Sequence, residues 1–458
     1  MTVYVGKSGK TYKSVEPFLG KGGEGAVYAI EGIPDYVLKI YLDGKATETK
    51  YRKLAAMLDT KMSEAAMRQI TWPVDIVYQE GKFAGYVMPQ LSGTEVLNVM
   101  YSDKYRCSLL EKLTIARNIC VAVHSVHEAG QVCGDLNPKN IAVDPVTAKV
   151  RLVDTDSYHI TDRDAKVYRC EVGLPEYLPR EIQEKMKNGD NLATASLPTF
   201  SRSSDLFALA VHIFALLMNG CHPYACAISS DPYYVGNLMG GQRSVVAPQP
   251  IDNICNGFFP FYQHKNGVTT PKYAPEFSVL PAQIQDLFIK AFVDGHEKPE
   301  LRPDSATWYK AIAKMQQNLT ICQVDRIHMY PNTLWQCPWC MIDQRMKKAS
   351  PIPIPVPTHR YSSFYPLQNS VSTPYPAAMP FSKNRPFWLR PITAIFFGVA
   401  GLFIGIICAS FIYIMMLVFS GNGFMSGFNS TWEAWTTVIQ TVVVIILTWY
   451  GLMLGWKI

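Results

Sequence analysis

The chain has 458 residues, 48% hydrophobic and only 17% charged, with a formal net charge of +6. That length accommodates two or three domains with a large core, and so mild a charge, with no Lys/Arg block, reads as ordinary surface charge, so that no nucleic-acid partner is expected. The apolar excess is uneven, because the last 70 residues carry most of it. Eleven cysteines at irregular spacing, several inside apolar helical patterns, read as buried free thiols rather than a disulfide framework. No charged-then-apolar segment opens the chain, so residues 1–340 are expected in a reducing cytosol.

Near the N-terminus, Leu19-Gly20-Lys21-Gly22-Gly23-Glu24-Gly25-Ala26-Val27-Tyr28 follows G-x-G-x-x-G-x-V without mismatch. Glycines at 20, 22 and 25 let the backbone between two strands close over phosphates, where a side chain would collide. Taken alone, they also suit a tight hairpin. Val37 to Tyr41 is a short β-type run broken by Lys39. A lysine pointing inward from such a strand needs an anion, which nucleotide phosphates supply. Thr47 to Met57 reads as a helix, and Phe83 to Leu91 as a strand running into Pro89. From Ser108 to Ala129 the apolar residues Leu109, Leu113, Ala116, Cys120, Val123 and Val126 recur at helical spacing, with Gly130 as the stop. His124 and His127 on that helix read as ordinary, partly buried histidines.

That helix delivers Val132 to Asp144, where Asp135 and Asn140 stand five apart across a short polar turn between apolar runs. A carboxylate and an amide can converge there. Phosphoryl transfer uses such a pair: the carboxylate orients the attacking hydroxyl and receives its proton, and a neutral oxygen helps hold magnesium. Val150 to Tyr158 is a strand ending in Asp154 and Asp156. Ser204 to Gly220 is a helix apolar on nearly every side, hence central in its domain. Residues 225 to 275, rich in Tyr, Pro and Asn without a clear period, read as an irregular insertion, and Ala282 to Val293 and Asp304 to Gln317 as closing helices.

Beyond them, Cys322-x5-His328-x8-Cys337-x2-Cys340 offers four ligands within nineteen residues, a set suited to tetrahedral structural zinc. Metal binding would replace the core that so short a segment cannot build, and four protein ligands leave no open position for catalysis. The alternatives are unliganded thiols or a redox pair. Residues 346–390 are proline-rich and read as an extended linker. Ile392 to Phe419 and Ala434 to Trp456 carry no charge, and each is long enough to cross a bilayer core of about 30 Å. Lys383, Arg385 and Arg390 precede the first and Lys457 follows the second, so both ends are expected in the cytoplasm. Trp432 and Trp435 would sit at the outer interface, and a buried hydrophobic hairpin is the alternative.

The glycine loop, Lys39, the D-x-x-P-x-N spacing of Asp135 and Asn140 and the acidic strand end, in that order, resemble the eukaryotic-like Ser/Thr protein kinases over residues 12 to 316. Cys133-Gly134-Asp135 and Asp154-Thr155-Asp156, followed by the Cys/His cluster, look like a bacterial branch of that superfamily. The resemblance implies an α+β, bilobal kinase fold: residues 1–91 as N-lobe, 92–318 as C-lobe, 319–345 as zinc module, 346–390 as linker and 391–458 as transmembrane hairpin. It implies ATP and Mg2+, with Gly20, Gly22, Gly25, Val27 and Lys39 on the nucleotide, Met88 guarding the back of the adenine pocket and the Leu91 backbone donating to adenine. Asp135 is then the catalytic base, Asn140 and Asp154 hold magnesium, and Glu48 on the first helix is the candidate partner of Lys39, a solvated surface glutamate being the alternative. Asp156, standing where the family has glycine, either adds a carboxylate near the metals or caps a turn. Gly173 to Glu181 resembles the end of an activation segment, which favours a protein substrate. Glu181 is expected to pair with Arg302, and Asp205 to brace the catalytic loop. The family's His-Arg before the aspartate is Cys133-Gly134 here, and its lysine two residues after is Asn137. Losing the arginine removes the partner through which a phosphorylated segment orders such a site. The implied protein is a multi-pass enzyme of the inner (cytoplasmic) membrane, its kinase domain in the cytoplasm. A nucleotide-binding pseudokinase scaffold is the rival reading.

Overall fold

Strand alternation builds the N-terminal lobe: in β1 (Val3–Gly6) and the first part of β2 (Thr11–Lys21) every second residue is buried. The computed structural model describes residues 1–101, 105–187, 191–229 and 247–349, which all belong to one compact unit. With β3 (Gly25–Ile30), β4 (Tyr36–Tyr41), β5 (Asp75–Gln79) and β6 (Lys82–Pro89), these strands close an antiparallel barrel in the order β1-β2-β3-β4-β6-β5. Tyr4, Tyr12, Ile30, Leu38, Val77 and Val87 fill one core of the lobe. Between β4 and β5 runs α1 (Glu48–Asp59), with the Thr47 hydroxyl accepting from Lys50 N–H as its N-cap.

The inward residues Leu54 and Met57 of α1, with Ile76 and Tyr86 of the barrel, join the large core of the second lobe. That core is organised by α3 (Leu109–Glu128, following the short α2, Glu64–Met67), which lies within the Ser108 to Ala129 span expected and starts in a Ser108/Glu111 capping box. After α4 (Arg180–Lys187), α5 (Arg202–Leu217) is buried on almost every side, from Asp205 to Leu217, and packs on α3. Burial on all faces explains its continuous apolar sequence. Glu181 on α4 receives a two-pronged ion pair from the buried Arg302, at 2.6 and 2.9 Å, as expected.

Two expectations need correction. Residues 225 to 275 are not wholly irregular: Ala227–Ile228 pairs with Val268–Thr269, and a helix spans Pro250–Cys255. Such short pieces carry too few residues for a period to show. The helix expected over Ala282 to Val293 is α-helical only to Ile289, then widens into a π-turn over Lys290–Asp294, with the buried Phe288 and Phe292 stacked at 5.8 Å.

After the last long helix of the lobe (Ser305–Gln316), a hairpin of Leu319–Ile321 and Met329–Pro331 leads into a helix over Pro338–Ala349. Leu319, Met329 and Trp339 of this segment pack against the large core, and Arg106 pairs with Asp325 at 2.8 Å. Among the described residues no helix is long and apolar enough to cross a membrane. The first four residues read as linker, 346–349, belong to the helix over Pro338–Ala349, whereas the rest of the linker and both segments read as a transmembrane hairpin lie outside the described residues.

Candidate active site

Strand β4 aims Lys39 inward because the pleat alternates: Leu38 and Lys39 face opposite sides, and Lys39 sits opposite Val27 on β3 and Tyr86 on β6. The hairpin of Lys21 to Gly25 closes beside it, with Gly22 N–H donating to Gly25 C=O at 2.9 Å. At Gly25 packing demands glycine, since a Cβ there would lie 2.6 Å from the Ile40 carbonyl oxygen. Open space surrounds Gly22 and Gly23. Met88, half-buried, pairs with Val37 at the end of β6, and the Gln90 carbonyl beyond it accepts from Arg151 at 2.8 Å.

Lys39 Nζ bridges two carboxylates, Asp154 Oδ1 at 2.8 Å and Asp156 Oδ1 at 2.6 Å. They differ in setting. Asp154 adopts left-handed backbone (φ +56°) at the start of a 3-10 turn over Thr155–Ser157, and its side chain is 46% exposed. Asp156 is 4% exposed and also accepts from Tyr86 Oη at 2.8 Å and Tyr41 Oη at 2.9 Å. Burial alone would raise the pKa of Asp156, but the Lys39 ammonium and the two phenols outweigh it and hold the group at about 2. Burial likewise opposes the charge on Lys39, yet Asp156 and then Asp154 keep its pKa above the usual lysine value.

Glu48 is not the partner of Lys39. It lies at the exposed first turn of α1 and accepts from Arg52 Nε at 2.8 Å, one helical turn away. The inward polar position of α1 is Lys53, a second buried cation, which donates to the Arg169 carbonyl at 3.3 Å. Burial lowers its pKa.

The loop after α3 brings Asp135 and Asn140 together. Asn140 Nδ2 donates to the Asp135 carbonyl at 2.9 Å and lies 3.4 Å from its carboxylate. Asn137, standing where the family has lysine, donates to Asp135 Oδ2 at 2.9 Å and accepts from Lys139 N–H at 2.8 Å. The Leu174 N–H, from the segment read as a peptide-docking element, reaches Asp135 Oδ1 at 3.2 Å. Burial raises the pKa of Asp135 and the charge of Asp154 acts the same way, while these donors offset part of the rise. Beneath the loop, Asp205 accepts from the N–H groups of Cys133 (2.8 Å) and Gly134 (2.9 Å), as expected, and also meets His127 Nε2 at 2.9 Å. His127, read as an ordinary, partly buried histidine, is buried and paired with Asp205. Gly134 has φ +81°, and a Cβ there would lie 2.8 Å from Cys170 Cβ, so no side chain fits.

Tyr41, Tyr86 and the role of Asp156 escape a reading of the sequence. Tyr41 shares the face of Lys39 by strand alternation, which was a usable signal; the Tyr86 register and the Asp156 approach come from other parts of the chain. Further on, Cys322, His328, Cys337 and Cys340 bring one ligand atom each to within 4.8 Å of one another. Cys322 Sγ and Cys340 Sγ lie 3.6 Å apart, and His328 Nδ1 is 3.5 Å from Cys340 Sγ. Spacings of 3.5 and 3.6 Å are those of tetrahedron edges around an ion with bonds of about 2.0–2.3 Å, so the cluster could hold zinc.

No family model matches the chain. It is 32% identical over 341 residues to a protein of Escherichia coli K12 named protein kinase YegI, covering 71% of this chain and 48% of that one. The chain thus spans about half the length of that relative. It is 29% identical over 174 residues to human citron Rho-interacting kinase, 37% of this chain and 8% of the relative, and 27% identical over 171 residues to a chicken protein named ribosomal protein S6 kinase 2 alpha, 36% of this chain and 21% of the relative.

Proposed function

The chain belongs to the protein-kinase superfamily, in a branch with bacterial members, and on that footing we propose that it transfers the γ-phosphoryl group of ATP, with magnesium, to Ser/Thr hydroxyls of protein substrates. The observation that carries this reading is the meeting of Lys39 and Asp154 at 2.8 Å, 115 residues apart in sequence and contributed by different lobes. A phosphate-gripping cation and a metal-holding carboxylate then face one cleft.

The residues present fit both cofactors. Asp154 offers half-exposed carboxylate oxygens, and Asn140 spends its N–H on Asp135, leaving its carbonyl oxygen for a hard cation. Bound ATP supplies the transferable phosphoryl group. Lys39 neutralises phosphate charge, Gly20, Gly22 and Gly25 let the backbone of the covering hairpin approach the phosphates, and Met88 and Leu91 border the adenine. Asp135, oriented by Asn137 and Leu174 N–H, aligns the incoming hydroxyl and takes its proton. The test is phosphate transfer by the purified full-length chain. Asp135→Asn should leave ATP affinity within a few-fold and cut turnover roughly 10²-fold or more. A wild-type chain that binds ATP, transfers nothing and matches Asp135→Asn supports the scaffold reading instead.

The reading also includes structural zinc on Cys322, His328, Cys337 and Cys340, and a cytoplasmic-membrane anchor formed by Ile392 to Phe419 and Ala434 to Trp456 with the kinase domain in the cytoplasm. Their lack of charge and the flanking Lys383, Arg385, Arg390 and Lys457 support the anchor. A reporter fused after Ile458 should be cytoplasmic and one inserted at Asn422 external; any other combination refutes this topology.

A further inference from the structure

Helix α1 carries two acids, Glu48 and Asp59, and both are exposed. Its buried residues are Lys53, Leu54 and Met57, so nothing on this helix can neutralise Lys39. The carboxylate that does so in a buried setting is Asp156. All three of its donors belong to the barrel: Lys39 and Tyr41 lie on one face of β4, and Tyr86 stands directly opposite Lys39 on β6. Asp154, two residues earlier, shares Lys39 but keeps its side chain nearly half in solvent.

We propose that Asp156 is the positioning residue for Lys39, doing from the metal-holding turn what the family resemblance assigns to a helix glutamate. The division of labour follows from the surroundings. Asp154 is open and can exchange Lys39 for a cation, whereas Asp156 is enclosed by two phenols and cannot reach a metal without breaking three hydrogen bonds. Lys39 keeps Asp156 when nucleotide is bound. Its aim then depends on the 155–157 turn and not on where α1 sits, so a displacement of α1 does not disconnect the phosphate-gripping lysine. Lys53, tied to the Arg169 carbonyl, links α1 to the segment before Gly173 instead.

This rests on the nucleotide-binding part of the function proposed above. ATP affinity is measured on the full-length chain, with magnesium and with chelator, for the wild type, Asp154→Asn, Asp156→Asn, Lys39→Met and Lys39→Met/Asp156→Asn. Removing a charge-assisted partner of a buried lysine should weaken ATP binding roughly tenfold in Asp156→Asn, with and without magnesium, so that the ratio between the two conditions is kept. Asp154→Asn should lose that ratio. In the Lys39→Met background, Asp156→Asn should add less than about a twofold effect, because the coupling has no lysine left to act through. Unchanged affinity in Asp156→Asn, loss of the magnesium ratio in that variant, or full additivity in the double variant overturns the proposal. If thermal melting shows that Asp156→Asn does not fold, the test passes to Tyr86→Phe. That variant removes one donor and no charge, and should weaken ATP binding a few-fold only while Lys39 is present; equal affinity to wild type overturns the proposal. A wild-type chain that binds ATP without transferring phosphate sinks the enzyme reading alone, and one that binds no ATP sinks both.

Discussion

The proposed base, Asp135, occupies a partly enclosed position, and burial raises its pKa against the pull of Asn137, Leu174 N–H and Asn140. A base must be deprotonated to accept the hydroxyl proton, so acidification disables it sooner than a solvated aspartate of pKa about 3.9. Turnover at saturating ATP should fall as pH drops through an apparent value above that figure, and the residual rate of Asp135→Asn should not follow the same curve. Two superimposable profiles would assign the titration to another group. At Glu48 the exposed pairing with Arg52 gives the opposite expectation. Surface pairs contribute little, so Glu48→Gln should keep phosphate transfer within about twofold, and a loss of tenfold or more would return the Lys39 partnership to the helix.

Among the elements, α5 braces the loop that carries Asp135. Its continuous apolar burial fixes Asp205 at the first turn, where one carboxylate accepts two backbone N–H groups of the loop and meets His127. Asp205→Ala strands those donors in a buried site. With about 1–3 kcal/mol for a buried donor left unsatisfied, the variant should lose roughly 3 kcal/mol in reversible denaturation and also lose transfer, since the loop carries Asp135. A fully active, equally stable variant would show that the loop holds itself. The barrel acts on the other side of the cleft, where the pairing of β4 with β6 sets Tyr86 against Lys39. A one-residue slip of that register would turn the lysine away from the acids.

For the whole molecule, the Cys/His segment is packed into the second lobe through Leu319, Met329 and Trp339 and pinned by the Arg106–Asp325 pair. Metal content should be about one zinc per chain, lost in Cys337→Ser/Cys340→Ser. Because those packing residues sit on the hairpin and helix that the metal would tie together, the variant should also melt at lower temperature. Unchanged metal content in the variant would sink the zinc reading.

What the sequence determined by itself were features set by short spacing. The glycine hairpin, the five-residue step from Asp135 to Asn140, the helix from Ser108 to Ala129 and the Cys/His cluster each lie within one local segment, and residue type with period or distance along the chain is enough to read them. The braces Asp205 and Glu181–Arg302 were legible too, through family resemblance rather than through spacing. Tertiary structure alone decided the partner of Lys39. Asp156 stands 117 residues from Lys39 and 70 from Tyr86, and no local pattern encodes which of two neighbouring aspartates turns inward. The left-handed backbone at Asp154 starts a 3-10 turn, in which Asp154 meets Lys39 with its side chain still half in solvent while the next acid, Asp156, lies buried under the barrel. There the cost of burying its charge is met by an ammonium and two phenols that only the closed sheet brings together.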